Sequence, residues 1–222
     1  MRKFIGTAAI TLALFAPMAA QAQEAEVSAN AGWVSQYYYR GLLQKTSSAS
    51  AGLDVGLSNL YLGTWAADVA DGAEVDLYAG FGVELDGGFS VSAGGTAYLY
   101  TGGFDDTYLE ANLGAGYGPL SVEFSIGTYD TSPESLSYWF LGVTAEQSGF
   151  YGTLGMLGGE EGFINDEGDS GIHAEAGYGF SAGDLDLTIS GIFADEKLNN
   201  ISGGADSELT LVFGVSKAFE IN

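Results

Sequence analysis

From about residue 25 to residue 219 the chain alternates apolar and polar residues with a period of two, in unusually long runs. In Glu74–Asp86, Val75, Leu77, Ala79, Phe81, Val83 and Leu85 fall on one face. Glu74, Asp76, Tyr78, Gly80, Gly82, Glu84 and Asp86 fall on the other. Phe89–Tyr100 repeats the pattern, and Leu209, Leu211, Phe213, Val215 and Phe219 oppose Thr210, Gly214 and Ser216. A helix would bring residues three and four apart together and mix these sets, so the runs are strands. Twelve are expected, at 25–36, 48–57, 60–67, 73–85, 89–100, 107–117, 119–129, 135–146, 150–158, 171–180, 184–194 and 207–219. The runs at 60–67 and 135–146 alternate poorly, which leaves their facing open. Most have about the 9–11 residues with which a tilted strand crosses a bilayer; strands of soluble proteins average nearer about 5–6.

The connections divide into two kinds. Ser58-Asn59, Asp86-Gly87-Gly88, Gly118-Pro119, Gln147-Ser148-Gly149 and Ser181-Ala182-Gly183 read as tight hairpin turns. The alternate connections, Tyr37–Ser47, Asp68–Gly72, Thr101–Asp106, Asp130–Glu134, Gly159–Ser170 and Asp195–Asp206, read as longer loops. Short turns on one rim and longer loops on the other describe an antiparallel up-and-down barrel of the outer-membrane kind. Tyr37, Tyr38, Tyr39, Tyr98, Tyr100, Tyr108 and Tyr129 near the long loops, and Phe89, Tyr117, Phe150, Tyr151, Phe180 and Phe219 near the short turns, are expected to form two interfacial belts.

Alternation does not say which face is outside, since a soluble barrel or sandwich with an apolar interior would alternate too. The polar face consists of Gly, Ser, Thr and isolated acids with hardly a Lys or Arg, a poor solubilising surface. Twelve strands also enclose more space than apolar side chains readily fill. Both points turn the apolar face towards lipid. A secreted β-roll fails because the glycine-rich Gly158–Gly162 does not recur.

Residues 1–22 read as a secretory signal peptide: Arg2 and Lys3, an apolar stretch from Phe4 to Pro17, and Ala20-Gln21-Ala22 as a cleavage site. Residues 23–222 then form a single barrel domain. Removing the leader leaves four basic residues against 29 acids. Such a chain repels nucleic acid and attracts cations. Cysteine is absent, which excludes disulfides and thiolate metal sites.

With the apolar face outward, the interior is acidic. Glu74, Asp76, Glu84, Glu110, Glu123, Glu175, Asp184 and Asp186 lie on polar faces and are expected to line the lumen, where they would favour cations. The alternative is an interior filled by its own side chains. Arg40 shares the parity of Asn30 and Gln36 and is expected to point inward at the loop rim, either pinning the first loop to carboxylates or selecting solutes. His173, the only histidine, is expected to face inward too. A lone inward histidine, without a nucleophile elbow or phosphate loop, argues against a lipid-modifying enzyme and against catalysis generally. No cofactor or metal is expected. The acids of the Gly159–Ser170 loop, with Asp68, Asp71, Asp105 and Asp106, could bridge divalent cations, but their spacing matches no EF-hand and a solvated loop is the alternative.

The stretches ANAGWVSQYYYRGLLQ (Ala29–Gln44) and YLGTWAAD (Tyr61–Asp68) carry a recognisable pattern. It resembles the start of the TorF family, a Gram-negative group labelled as porins and also called the Gcw-type conserved hypothetical proteins. The family's Ser-x-Tyr-x-x-Arg-Gly followed by Gln is matched by Ser35, Tyr37, Arg40, Gly41 and Gln44, and its Gly-x-Trp by Gly63 and Trp65. The resemblance implies an outer-membrane barrel of porin type. The partners expected of such a barrel are outer-membrane lipid and lipopolysaccharide, the barrel-assembly machinery, and small solutes or cations.

Overall fold

The computed structural model of the chain describes residues 25–131, 134–165, 168–204 and 206–221. The expected leader at 1–22 lies outside these residues. Twelve antiparallel strands close into one barrel: β1 (Glu26–Tyr39), β2 (Leu42–Leu57), β3 (Leu60–Val69), β4 (Gly72–Leu85), β5 (Phe89–Thr101), β6 (Thr107–Tyr117), β7 (Leu120–Asp130), β8 (Ser135–Gln147), β9 (Phe150–Gly159), β10 (Ser170–Ala182), β11 (Leu185–Ala194) and β12 (Glu208–Ile221). A short helix, α1 (Glu196–Ile201), interrupts the last connection. Each strand pairs with its neighbours in sequence, and β1 pairs with β12 from Val27↔Ile221 to Val34↔Gly214. Closure removes the unpaired edges that an open sheet would expose.

The apolar face is outside. Leu62, Leu109, Leu113, Ile126, Leu154 and Leu211 are each more than half exposed, and Phe81 and Phe213 nearly so. The inward face carries Asp76, Thr96, Glu110, Asn112, Ser125 and Ser190, all buried. Apolar-out and polar-in is the distribution of a barrel that spans a bilayer, where only closed hydrogen-bonded structures satisfy the backbone. The two strands of open facing resolve the same way: Trp65 and Ala67 of β3, and Tyr138 and Phe140 of β8, point in, while Leu60, Leu62 and Leu141 point out.

Two of the expected long loops are not loops. The β1–β2 connection is the two-residue turn Arg40-Gly41, both with positive φ (50° and 85°). That is the primed geometry whose twist matches the strands it joins. The β3–β4 connection is likewise two residues, Ala70 and Asp71. Longer connections on this rim follow β5, β7, β9 and β11.

The aromatic expectation holds on one rim only. At the short-turn rim Phe89, Tyr117, Phe150 and Phe180 are exposed on the outer wall, with Phe89 stacked on Tyr117 at 4.4 Å between centroids. Tyr151 is the exception, buried inside with its hydroxyl donating to Glu175 at 2.5 Å. At the other rim Tyr37 and Tyr98 are buried in the interior, and Tyr39 and Tyr100 bond with them to inward partners. The physical reason is the hydroxyl, which finds buried carboxylates in the lumen and none on the lipid side.

Candidate functional site

The interior is organised by the end of the first hairpin. β1 stops pairing with β12 at Val34, and β2 starts pairing with β3 only at Ser50. Between them, residues 36–46 pair only with each other. Ser47 has a left-handed φ of 61° where β2 leaves the wall, and the hairpin register shifts between Tyr37 and Tyr38. Freed from the wall, the hairpin folds into the lumen. Parity with Asn30 is therefore not what turns Arg40 inward; this inward fold is.

At the tip the Arg40 guanidinium reaches strands on the far side of the barrel. It donates to both oxygens of Glu110 on β6 (2.6 and 2.9 Å), to Glu123 on β7 (2.8 Å), and to Ser125 Oγ (3.2 Å). Its charged carbon sits 4.1 Å from the centre of the Phe140 ring and 4.8 Å from that of Tyr39. Such fork-to-fork pairing combines charge with fixed geometry, which a lysine could not reproduce. The Glu110 side chain has no exposed surface, and that of Arg40 is 5% exposed. Asn112, Tyr98 and Tyr138 also donate to Glu110, so its remaining lone pairs are occupied.

The flanks of the hairpin are tied as well. Tyr37 donates to Glu74 at 2.5 Å, Tyr100 donates to the other Glu74 oxygen at 2.7 Å, and the Tyr39 hydroxyl meets Tyr98. The Leu43 backbone N–H donates to Ser202 Oγ just beyond α1, and Phe213 N–H donates to Ser35 Oγ. A side chain on Gly41 would lie 2.6 Å from His173 and 2.9 Å from Leu198, so the tip is in direct contact with β10 and α1. Helix α1 is itself held in place by Asp195, which caps it by accepting from Leu198 N–H and also accepts from Ile172 N–H. Leu198 is fully buried with Tyr138, Phe140, Leu157 and Ile164. Beside Arg40 the free space is a cavity of about 40 Å³ lined by Tyr39, Gln44, Asp105 and Phe163 among others, room for about one or two waters.

The remaining residues singled out in the sequence divide by depth. Asp76 is completely buried between Trp65 and Tyr98 of the adjacent strands, and neither of its carboxylate oxygens has a hydrogen-bond partner. His173 is buried, stacked parallel on Phe140 at 5.9 Å, with Nδ1 unpartnered. Glu175 faces inward on β10. Asp186 accepts from Ser181 near the short-turn rim. Glu84 is exposed towards that same rim. Asp184 does not lie on a strand: it occupies the β10–β11 turn, 3.6 Å from Lys217, with its side chain 87% exposed, because β11 begins only at Leu185.

Of the motif residues, Ser35, Tyr37, Arg40, Gly41 and Gln44 all belong to the hairpin. Gln44 is buried, and its amide donates to Leu42 O at the tip. Trp65 packs edge-on to Tyr37 at 5.7 Å. Gly63 lies directly across from Tyr78, whose ring covers it; a Cβ there would be 2.6 Å from the ring. The same device recurs at Gly127 under Tyr138, Gly155 under His173 and Gly177 under Tyr151, each a direct cross-strand pair. Asn112 and Ser125 do not stand out in the sequence; their only signal is an inward parity shared with Glu110 and Glu123.

On the loop rim Asp169 forms an ion pair with Lys197 of α1 at 2.7 Å. Hydrogen bonds from Lys197, and then from Asn165, hold the Asp169 carboxyl below the usual aspartate range. Glu160 is held low by the Ser137 backbone N–H. Among the described residues no group of three or more His, Cys, Asp or Glu side chains could hold a metal ion.

No curated protein matches the chain in sequence. A chain solved in work called "Unveiling the Mechanism Behind the in-meso Crystallization of Membrane Proteins" superposes with a TM-score of 0.58 at 10% identity, over 88% of this chain and 84% of the other. That likeness shows a shared fold. OprD of Pseudomonas aeruginosa aligns at a TM-score of 0.43 and 13% identity, over 89% of this chain and 67% of OprD. Pseudomonas aeruginosa OpdK, solved with vanillate, aligns at 0.44 and 12% identity, over 80% of this chain and 57% of OpdK. At those scores neither adds to the argument. The family described as "Bacterial protein of unknown function (Gcw_chp)" matches residues 18–202, most of the length, and the chain belongs to that family.

Proposed function

We propose that the protein is an outer-membrane diffusion channel of porin type for small solutes, with a preference for cations. The TorF porin label suggested by the hairpin motif belongs to this reading, as do the outer-membrane location and the absence of catalysis. The observation that carries it is the charge of the inner wall. Glu74, Asp76, Glu110, Glu123 and Glu175 face the interior, where Arg40 pairs with Glu110 and Glu123. Carboxylates in a confined aqueous path concentrate cations and repel anions. The inward hairpin is the constriction of the path.

Reconstitution of the refolded protein into planar bilayers under a salt gradient tests this reading. A reversal potential of the sign set by cation permeation is expected; the anion sign refutes the selectivity. A second reading, a structural barrel without transport, is favoured by one observation: at the level of Arg40 the lumen is filled. The two separate on Arg40→Ala. Conductance that rises in the variant supports a constricted channel, whereas silence in both proteins supports the structural barrel.

A further inference from the structure

Every hydrogen-bond partner of the Arg40 guanidinium belongs to the barrel wall. Glu110, Glu123, Ser125 and Phe140 belong to β6, β7 and β8, strands paired on both sides. The guanidinium belongs to a hairpin whose residues 36–46 pair with no wall strand. Asn112, Tyr98 and Tyr138 orient Glu110, and none of the three comes from the hairpin. If the tip moves away, the wall keeps two carboxylates, a hydroxyl and an aromatic face in their present places. The geometry points to a solute subsite for planar, delocalised cations, guanidinium or amidinium groups, with Arg40 as a tethered competitor that fills it in the closed state. The chemistry is specific: a bidentate carboxylate and a ring face match a flat fork of N–H donors and match a spherical ammonium poorly. This inference rests on the channel reading only for its physiological use; the site itself exists whether or not ions flow.

Chemical rescue separates the two. Arg40→Ala protein in detergent micelles is melted with and without millimolar methylguanidinium, methylammonium or potassium, all as chlorides. Methylguanidinium is expected to restore at least about half of the lost thermal midpoint, saturably, while the other two do not. The additional substitution Glu110→Gln should abolish the rescue. Equal effects from methylguanidinium and methylammonium, or none from either, overturn the proposal. Should Arg40→Ala fail to fold, hydrogen exchange on the wild-type protein decides instead. Methylguanidinium, and not methylammonium, should accelerate exchange in residues 36–46 by displacing the tip; identical exchange in both overturns the proposal. Because neither assay requires conduction, a silent bilayer leaves this result standing, and a failed rescue leaves the channel reading standing.

Discussion

Removing the charge of Arg40 should destabilise the barrel more than removing both members of its ion pair. In Arg40→Met the Glu110 carboxylate stays buried with no exposed side-chain surface and no opposing charge. Breaking a buried pair from one side costs about 3–5 kcal/mol. For a domain of about 200 residues each kcal/mol moves the midpoint by about 2–4 °C, so a fall of about 6–20 °C is expected. In Arg40→Met/Glu110→Gln the amide oxygen still accepts from Tyr98 and Asn112 while the amide N–H can donate to the Tyr138 hydroxyl, and the remaining acid, Glu123, keeps 18% side-chain exposure to water. The double variant should therefore recover about 2 kcal/mol or more relative to the sum of the single losses. Heat-modifiable migration on gels and tryptophan fluorescence in micelles both read the midpoint. Single losses that simply add would refute the claim that Glu110 and Arg40 depend on each other across the lumen.

Other residues of the hairpin and the rims give further expectations. Gly41→Ala places a Cβ at a φ of +85° and 2.6 Å from His173, so the tip should loosen by about 1–3 kcal/mol, seen as faster amide exchange in residues 36–46 with the distant strands unchanged. Tyr37→Phe removes one of the two tyrosine donors of Glu74 and should cost about 1.5–3 kcal/mol, the range for a hydrogen bond to a charged group; an unchanged midpoint would show that Tyr100 suffices. The Asp169–Lys197 tether should hold above the ordinary aspartate pKa of about 3.9 and weaken as pH falls through the lowered folded value, since a depressed carboxyl stabilises only while ionised. Limited proteolysis of the β9–β10 loop would show it, and Lys197→Ala should give the same loosening at neutral pH.

The strand pattern made the barrel legible because a single parity rule covers β4, β5 and β12 from end to end. That rule also held information the belt expectation ignored. Tyr98 and Tyr100 share the parity of Ser90 and Ser92, and so were bound to face inward whatever their liking for interfaces. The hairpin was not legible. Its strands look like a loop flanked by strands, because Tyr37-Tyr38-Tyr39 breaks the alternation and the Ser47 kink has no strong sequence signature. What places Arg40 against Glu110 is a separation of 70 residues across a closed wall, and a period-two pattern carries no information about the opposite side of a barrel. The motif Ser-x-Tyr-x-x-Arg-Gly was visible, but its members gain meaning only from partners on β4, β6 and β10.

The rings of Tyr78, Tyr138, His173 and Tyr151 occupy the space that a Cβ on Gly63, Gly127, Gly155 and Gly177 would need. Each bulky group therefore sits closer to the staves than it could beside a residue with a side chain. Room for the inward rings is thus made by the residues with no side chain at all. A methyl at Gly63, beneath Tyr78, would push that ring towards the barrel axis and disturb the hydrogen bond its hydroxyl donates to Asp54.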